Sequence, residues 1–262
     1  MAYTSIDKST DNMRIQTWSG NNSADREITW TESDNMQPDF MWVKRRSDTA
    51  NHRLSDSVRG ATKILRSDLQ DAESTESTDI LSFDTNGFSV GNNSGVNKTG
   101  DTYVGWGWLA GGSASSNTDG SIASSVSVNT TAGFSIVSYT GTTGGPSSTI
   151  GHGLGQTPDL VILKPRSYSG AWWWAQKDRS NKVLELQAGN AEVDPATSFG
   201  GGGLKYSTFT STVFGGTNGT SNDDLWNTDG ATYIAYCFKS IKGYSQISTF
   251  EGNGSTDGTL LH

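Results

Sequence analysis

Three blocks of this 262-residue chain occur twice, in the same order and at nearly constant separation. Residues 37–46 (QPDFMWVKRR) return 120 positions later as residues 157–166 (TPDLVILKPR). Residues 13–20 (MRIQTWSG) match 134–141 (FSIVSYTG) at an offset of 121, and 100–108 (GDTYVGWGW) match 230–238 (GATYIAYCF) at an offset of 130. A period of this length is a domain, not a solenoid unit. The chain therefore reads as two copies of one fold, followed by the opening of a third at 243–252 (GYSQISTFEG).

Within each copy the apolar residues recur every second position, as in Val104, Trp106 and Trp108 and again in Ile234, Tyr236 and Phe238. That is the period of a half-buried strand. Asn-Gly and Asp-Gly pairs at 86–87, 119–120, 218–219, 229–230, 253–254 and 257–258 supply turns between strands. Hydrophobic residues make up only 32%, but nine Trp, eight Tyr and nine Phe carry enough buried area for two modest cores. The one stretch with helical character, 56–73, is interrupted by Gly60 and fits a hairpin equally well. The expected fold class is all-β, with two antiparallel β-sandwiches of jelly-roll or lectin-like type. The expected divisions are an N-terminal arm (1–11), a first sandwich (12–109), a linker rich in small residues (110–130) with one weak strand at 122–128, a second sandwich (131–241) and a C-terminal hairpin (242–262). An isolated hairpin is marginal in water. The partial third copy is therefore expected either to close the second sandwich, as 134–150 would close the first, or to reach a neighbouring subunit.

Charge and composition exclude several functions. A net charge of −8, with bases clustered only at Lys44, Arg45 and Arg46, argues against nucleic acid as a partner. That cluster, echoed by Lys164 and Arg166, is expected on a solvated strand face. No run of 18 apolar residues suggests a membrane span, and residues 1–12 lack the pattern of a secretory leader. The lone Cys237 excludes an intrachain disulfide and reads as a small buried residue. His152 lies in a Gly-rich turn, and no spaced His, Cys or carboxylate set points to a metal, a cofactor or a catalytic pair.

The most conspicuous local feature is Trp172-Trp173-Trp174. On a strand, Trp172 and Trp174 share one face and Trp173 takes the other. The repeat aligns Trp172 with His52, Trp173 with Arg53 and Trp174 with Leu54. Because a position that accepts Arg is expected to be wet, Trp173 is the candidate for a solvent-facing aromatic that stacks on a sugar ring, with Arg53, Trp172 and His52 as companions. Trp174, Trp106 and Trp108 are expected in the core. Gly105 and Gly107, aligned with Ala235 and Cys237, suggest close approach of a second sheet.

The words YTSIDKSTDN, QPDFMWVKRR, DSVRGATKILRS, FDTNGFSVG, TYVGWGWLAGG, NTDGSI, NTTAGFSIVSYTG and IGHGLGQTPDLVILK span residues 3–164. Together with the repeats that follow, they resemble a family of repetitive tail-fibre-like structural proteins of tailed phages, many of them marine. The resemblance implies a virion structural protein, made in the host cytoplasm and tail-associated. It carries over no catalytic residue, and no enzyme activity is expected. Expected partners are other virion proteins, further copies of the chain (a ring or trimer among the arrangements) and host-surface glycan. The competing functions are a capsid decoration protein without a recognition role and a glycan depolymerase.

Overall fold

The computed structural model describes residues 6–143, 148–179, 181–195, 197, 203–217 and 226–254. The first repeat supplies nine strands: β1 (Met13–Ser19), β2 (Arg26–Thr29), β3 (Phe40–Arg45), β4 (Arg53–Asp56), β5 (Lys63–Ile64), β6 (Ser74–Thr75), β7 (Ile80–Asp84), β8 (Gly87–Val90) and β9 (Thr102–Trp108). The remainder supplies β10 (Ser115–Asn117), β11 (Ser124–Asn129), β12 (Phe134–Thr140), β13 (Thr149–Gly151), β14 (Leu160–Pro165), β15 (Trp173–Gln176), β16 (Val183–Glu185), β17 (Gly203–Leu204), β18 (Val213–Thr217) and β19 (Thr232–Phe238). Every named ladder is antiparallel. The expected all-β class holds, and among the described residues no helix is long and apolar enough to cross a membrane.

A four-stranded sheet in the order β1-β9-β3-β4 faces a three-stranded sheet β2-β8-β7. Trp18, Met41, Val43 and Tyr103 of the larger sheet and Ile28, Ile80, Phe88 and Val90 of the smaller one form their shared core. The second half repeats this plan as β12-β19-β14-β15 against β13-β18-β17. Even the register recurs: Met13 opposite Trp108 becomes Phe134 opposite Phe238, and Phe40 opposite Trp108 becomes Leu160 opposite Phe238.

Side-chain bonds recur with the register. Tyr103 and Tyr233 each accept a backbone N–H from the residue five positions earlier, at 2.8 and 3.0 Å. Asn97 accepts from the Asn21 N–H at 3.0 Å and Asn227 from the Thr142 N–H at 2.9 Å. The buried Asp39 carboxylate accepts from the Ala110 and Gly112 N–H groups, and Asp159 accepts from the Ser240 N–H. Each aspartate ties the chain leaving the last strand back to the turn before the third. A buried carboxylate that accepts several donors is worth more than a neutral bond, which is why a Pro-Asp pair marks the same place twice.

The small side chains at the centre of β9 are required by contact distance. A Cβ on Gly107 would lie 2.7 Å from the Trp30 indole, and one on Gly105 would meet Met41, Trp18 and Phe88. The close approach expected from the sequence is therefore present. Trp106 and Trp108, expected in the core, point the other way and are only half-buried, because the glycines own the inner face.

Two further expectations change, and the choice between helix and hairpin at 56–73 falls against the helix. The 110–130 segment is more than a linker: the weak strand expected at 122–128 is present as β11, paired along β12, and β10 and β11 together with β16 at the far edge bring the second sheet to seven strands. Residues 134–140 pair with β11 and β19 and so belong to the second sandwich, leaving the first closed by its own β1. The 56–73 stretch forms turns and strand β5, which pairs with β6. Downstream of β19, Ile241 bridges Ser245 in a tight turn, and no strand follows in the described residues. The remainder of the expected 242–262 hairpin, from residue 255, lies outside them.

The outer faces of the two large sheets pack on one another, giving four layers. Phe40 and Leu54 from the first sandwich meet Phe134, Ile136, Leu160, Ile162 and Tyr236 from the second. Phe40 and Tyr236 rings are 4.4 Å apart. This second contact face explains why β14 is buried at all six positions and reads as an unbroken apolar run instead of alternating.

Candidate functional site

The four residues singled out for glycan contact fall into three different layers. Trp173 is 3% exposed and lies in the inner core of the second sandwich, among Val161, Leu163 and Val183. Trp172 is fully buried between the two large sheets, its indole N–H donating to the Arg66 carbonyl at 2.8 Å. The alternation of faces was read correctly and the wet face was assigned wrongly.

The error traces to Arg53. This residue is not solvated: it is buried, and its guanidinium donates to Asp79 at 2.8 Å and to the carbonyls of Asn51 and His52. Burial pushes the Asp79 carboxyl upward against the pull of Arg53. A charged side chain can occupy a core-facing position when a partner neutralises it there, so the Arg-to-Trp exchange between repeats carried no information about solvent. The basic cluster divides: Arg46 is exposed as expected, Lys44 is half-buried, and Arg45 is corrected on the same ground. Arg45 is buried and paired with Asp48 and Asp101, and its counterpart region holds a fully buried Lys164.

His52 is half-buried on the opposite side of β4 and accepts the Trp42 indole N–H through Nδ1 at 2.7 Å. Burial and then the nearby Lys44 lower its pKa, although Asp68 pulls the other way. The neutral ring is thus a fixed acceptor for Trp42. His152 is a structural turn residue, as expected: it is buried, its Nδ1 accepts the Leu154 N–H at 3.1 Å, and burial lowers its pKa. Burial pushes the Cys237 thiol up to about 12, consistent with a small core residue.

What the layers do create is an aromatic cleft of about 290 Å³ between the two large sheets. Phe40, Trp42 and Trp108 line one wall, Trp174 and Phe238 the other, and Ile247 of the C-terminal segment sits at its margin. Trp174, expected in a core, is a half-buried wall of this cleft. The indole nitrogens of Trp42, Trp172 and Trp174 already have acceptors in His52, Arg66 and Gln176. The lining is mostly apolar, with Asn12, Lys239, Tyr244 and Ser245 as the polar exceptions, so an apolar group fits it better than a sugar. Among the described residues no three His, Cys, Asp or Glu side chains gather as a set for a metal ion.

Beside the cleft runs a polar lock that sequence reasoning missed. Arg59 and Asp56, both fully buried, pair at 2.5 Å. The Tyr236 hydroxyl from the other sandwich donates to Asp56 at 2.7 Å and accepts from Arg59 at 3.2 Å. Glu73 of the first half accepts both from Arg59 at 3.1 Å and from two nitrogens of Arg166 of the second half, at 2.9 and 3.0 Å. Burial opposes the charges, but the arginines outweigh it and hold Glu73 below the ordinary carboxylate range. The only trace in the sequence is Tyr236 standing where the first repeat has Trp106.

A family model described as a domain of unknown function, DUF7483, matches residues 8–262 and so runs through both sandwiches. The chain belongs to that family. Neither the curated proteins nor the solved structures contain a match.

Proposed function

We propose that this chain is a structural component of a tailed-phage particle, tail-fibre-like and tail-associated, that docks onto other virion proteins and has no enzymatic role. The resemblance over residues 3–262 supplies the class. The observation that carries the reading is the way the two sandwiches are joined. Their large sheets share an apolar interface closed by the Asp56–Arg59–Tyr236 and Glu73–Arg166 bonds, so the pair makes one stiff block instead of two beads on a tether. The buried carboxylates Asp56, Asp79 and Asp159 and the largely buried Glu73 are all committed to arginine or lysine partners, a structural employment. Glycan recognition is not part of the proposal, because Trp172 and Trp173 are inside the protein.

Mass spectrometry of purified particles, followed by imaging with an antibody to this chain, tests the reading. It expects the chain in the particle, with label at the tail. Absence from the particle overturns it, and label on the head would reassign the chain to capsid decoration. Release of reducing ends from host envelope polysaccharide by the purified protein would overturn the non-enzymatic part.

A further inference from the structure

The two large sheets differ at one edge. In the second sandwich the outer side of β12 is covered by β11, with Phe134, Ile136 and Ser138 opposite Asn129, Ser127 and Ser125. The corresponding strand of the first sandwich, β1, pairs only with β9, and no described strand lies on its other side.

The backbone geometry identifies which groups are left over. The Leu109 N–H donates to the Asn12 carbonyl and the Gly20 N–H to the Asp101 carbonyl, so the even-numbered residues 12 to 20 face β9. Antiparallel pairing alternates, so Met13, Ile15, Thr17 and Ser19 turn their N–H and C=O groups outward. These are the positions that, 121 residues later, bond to β11. The Ser19 carbonyl already accepts from Arg26 and the Thr17 carbonyl from the Gln16 side chain, while Met13 and Ile15 and the Thr17 N–H have no backbone partner on that side among the described residues.

The side chains agree with the backbone. Ile136 is fully buried, whereas its counterpart Ile15 is 52% exposed. Ile15 ends an apolar row that crosses the sheet through its cross-strand neighbours Trp106 and Trp42, both half-buried. The usual guards of an edge strand are charge on the edge or pointing inward, proline, a bulge or a covering loop. Here β1 has no proline, its ladder is regular, and its one charged residue, Arg14, is already buried and bonded to the Thr10 and Asp34 carbonyls, so pairing at the edge buries no new charge.

We infer that the outer edge of β1 is an assembly surface that pairs antiparallel with the β1 of a second copy, joining two four-stranded sheets into one of eight strands. A two-fold axis at Ile15 is self-complementary: Ile15 meets Ile15, Met13 meets Thr17, and the outward groups of each strand meet those of the other. The apolar row then continues from Trp42, Trp106 and Ile15 of one copy into the same residues of the next, which is the continuity that selects a second copy as occupant.

Sedimentation equilibrium of the full chain, together with cysteine cross-linking, tests this. The wild type is expected to show a concentration-dependent dimer. Ile15→Cys should form an intermolecular disulfide on mild oxidation, because directly opposed hydrogen-bonded residues lie about 5.5 Å apart at Cα. The buried Cys237 does not compete, and Ser19→Cys, which never faces itself in this register, should stay uncrosslinked. Ile15→Lys places like charges in opposition and Thr17→Pro removes an outward N–H; each should weaken the dimer by roughly tenfold or more while leaving the fold intact. A wild type that stays monomeric at every concentration overturns the proposal, including the case in which residues 1–5 occupy the edge in cis. A dimer that survives both substitutions, without the Ile15→Cys cross-link, also overturns it.

Discussion

The first and second sandwiches share strand order, register and the bonds made by Tyr103 and Tyr233, Asn97 and Asn227, and Asp39 and Asp159, yet equivalent positions outside that frame have different fates. Arg53 and Trp173 fill the same core-facing site with an ion pair in one half and an indole in the other. Gly107 lies against the Trp30 indole from across the core, whereas the same place under the second sheet holds the Cys237 side chain. Lys44 is half-buried while Lys164 is sealed between the sandwiches. The comparison teaches that bonds closing the frame are held in common, and that residue type at other sites follows what happens to pack against them.

Breaking the Arg53 and Trp173 pair of sites should have the largest effect. Trp173→Ala opens a cavity in the second core and is expected to cost about 3–5 kcal/mol. Arg53→Ala leaves the Asp79 carboxylate buried without its partner, with an expected cost also of about 3–5 kcal/mol. Urea unfolding of both variants checks the pair. A Trp173→Ala protein as stable as the parent would return Trp173 to the surface.

The glycine comparison should give a smaller difference. Gly107→Ala forces a methyl group against the Trp30 ring and is expected to destabilise by about 1–3 kcal/mol. Cys237→Ala in the other half, where a side chain is already accommodated, should cost less than Gly107→Ala. Thermal melts of the two single variants rank them, and the opposite order would mean that the inter-sheet distances are not as described.

The lysine comparison is the most delicate. Burial pulls the Lys164 ammonium down to about 8 from its ordinary 10.5. Below pH 8 both states carry the proton, and the folded state bears the cost of burying it. Above pH 8 the folded chain releases a proton that the unfolded chain still holds, so stability rises with pH. The gain from pH 7 to pH 9 should be about 1 kcal/mol from this group. Lys164→Met should remove that slope and Lys44→Met should not, as read from urea titrations at the two pH values.

Much of the frame was legible because it is written in short-range patterns. The two offsets of 120 and 121 align β3 with β14 and β1 with β12, which hold equivalent places in the strand order, and alternation identified β9 and β19 as strands. Which face of a strand meets water was not legible, because both large sheets are covered on their outer faces and alternation then separates one interior from another. Trp106, Trp108, Trp172 and Trp174 were all affected by this. The Asp56–Arg59–Tyr236 lock was invisible for a different reason: Tyr236 lies 180 residues from Asp56 and no local spacing connects it to the Asp56–Arg59 pair.

The central claim is that the two sandwiches are one locked block and not two domains on a linker. Scanning calorimetry of the intact chain tests it most directly. A single transition is predicted, with calorimetric and van't Hoff enthalpies equal within error. Two resolved transitions, or a calorimetric enthalpy about twice the van't Hoff value, would show halves that unfold independently and would contradict it.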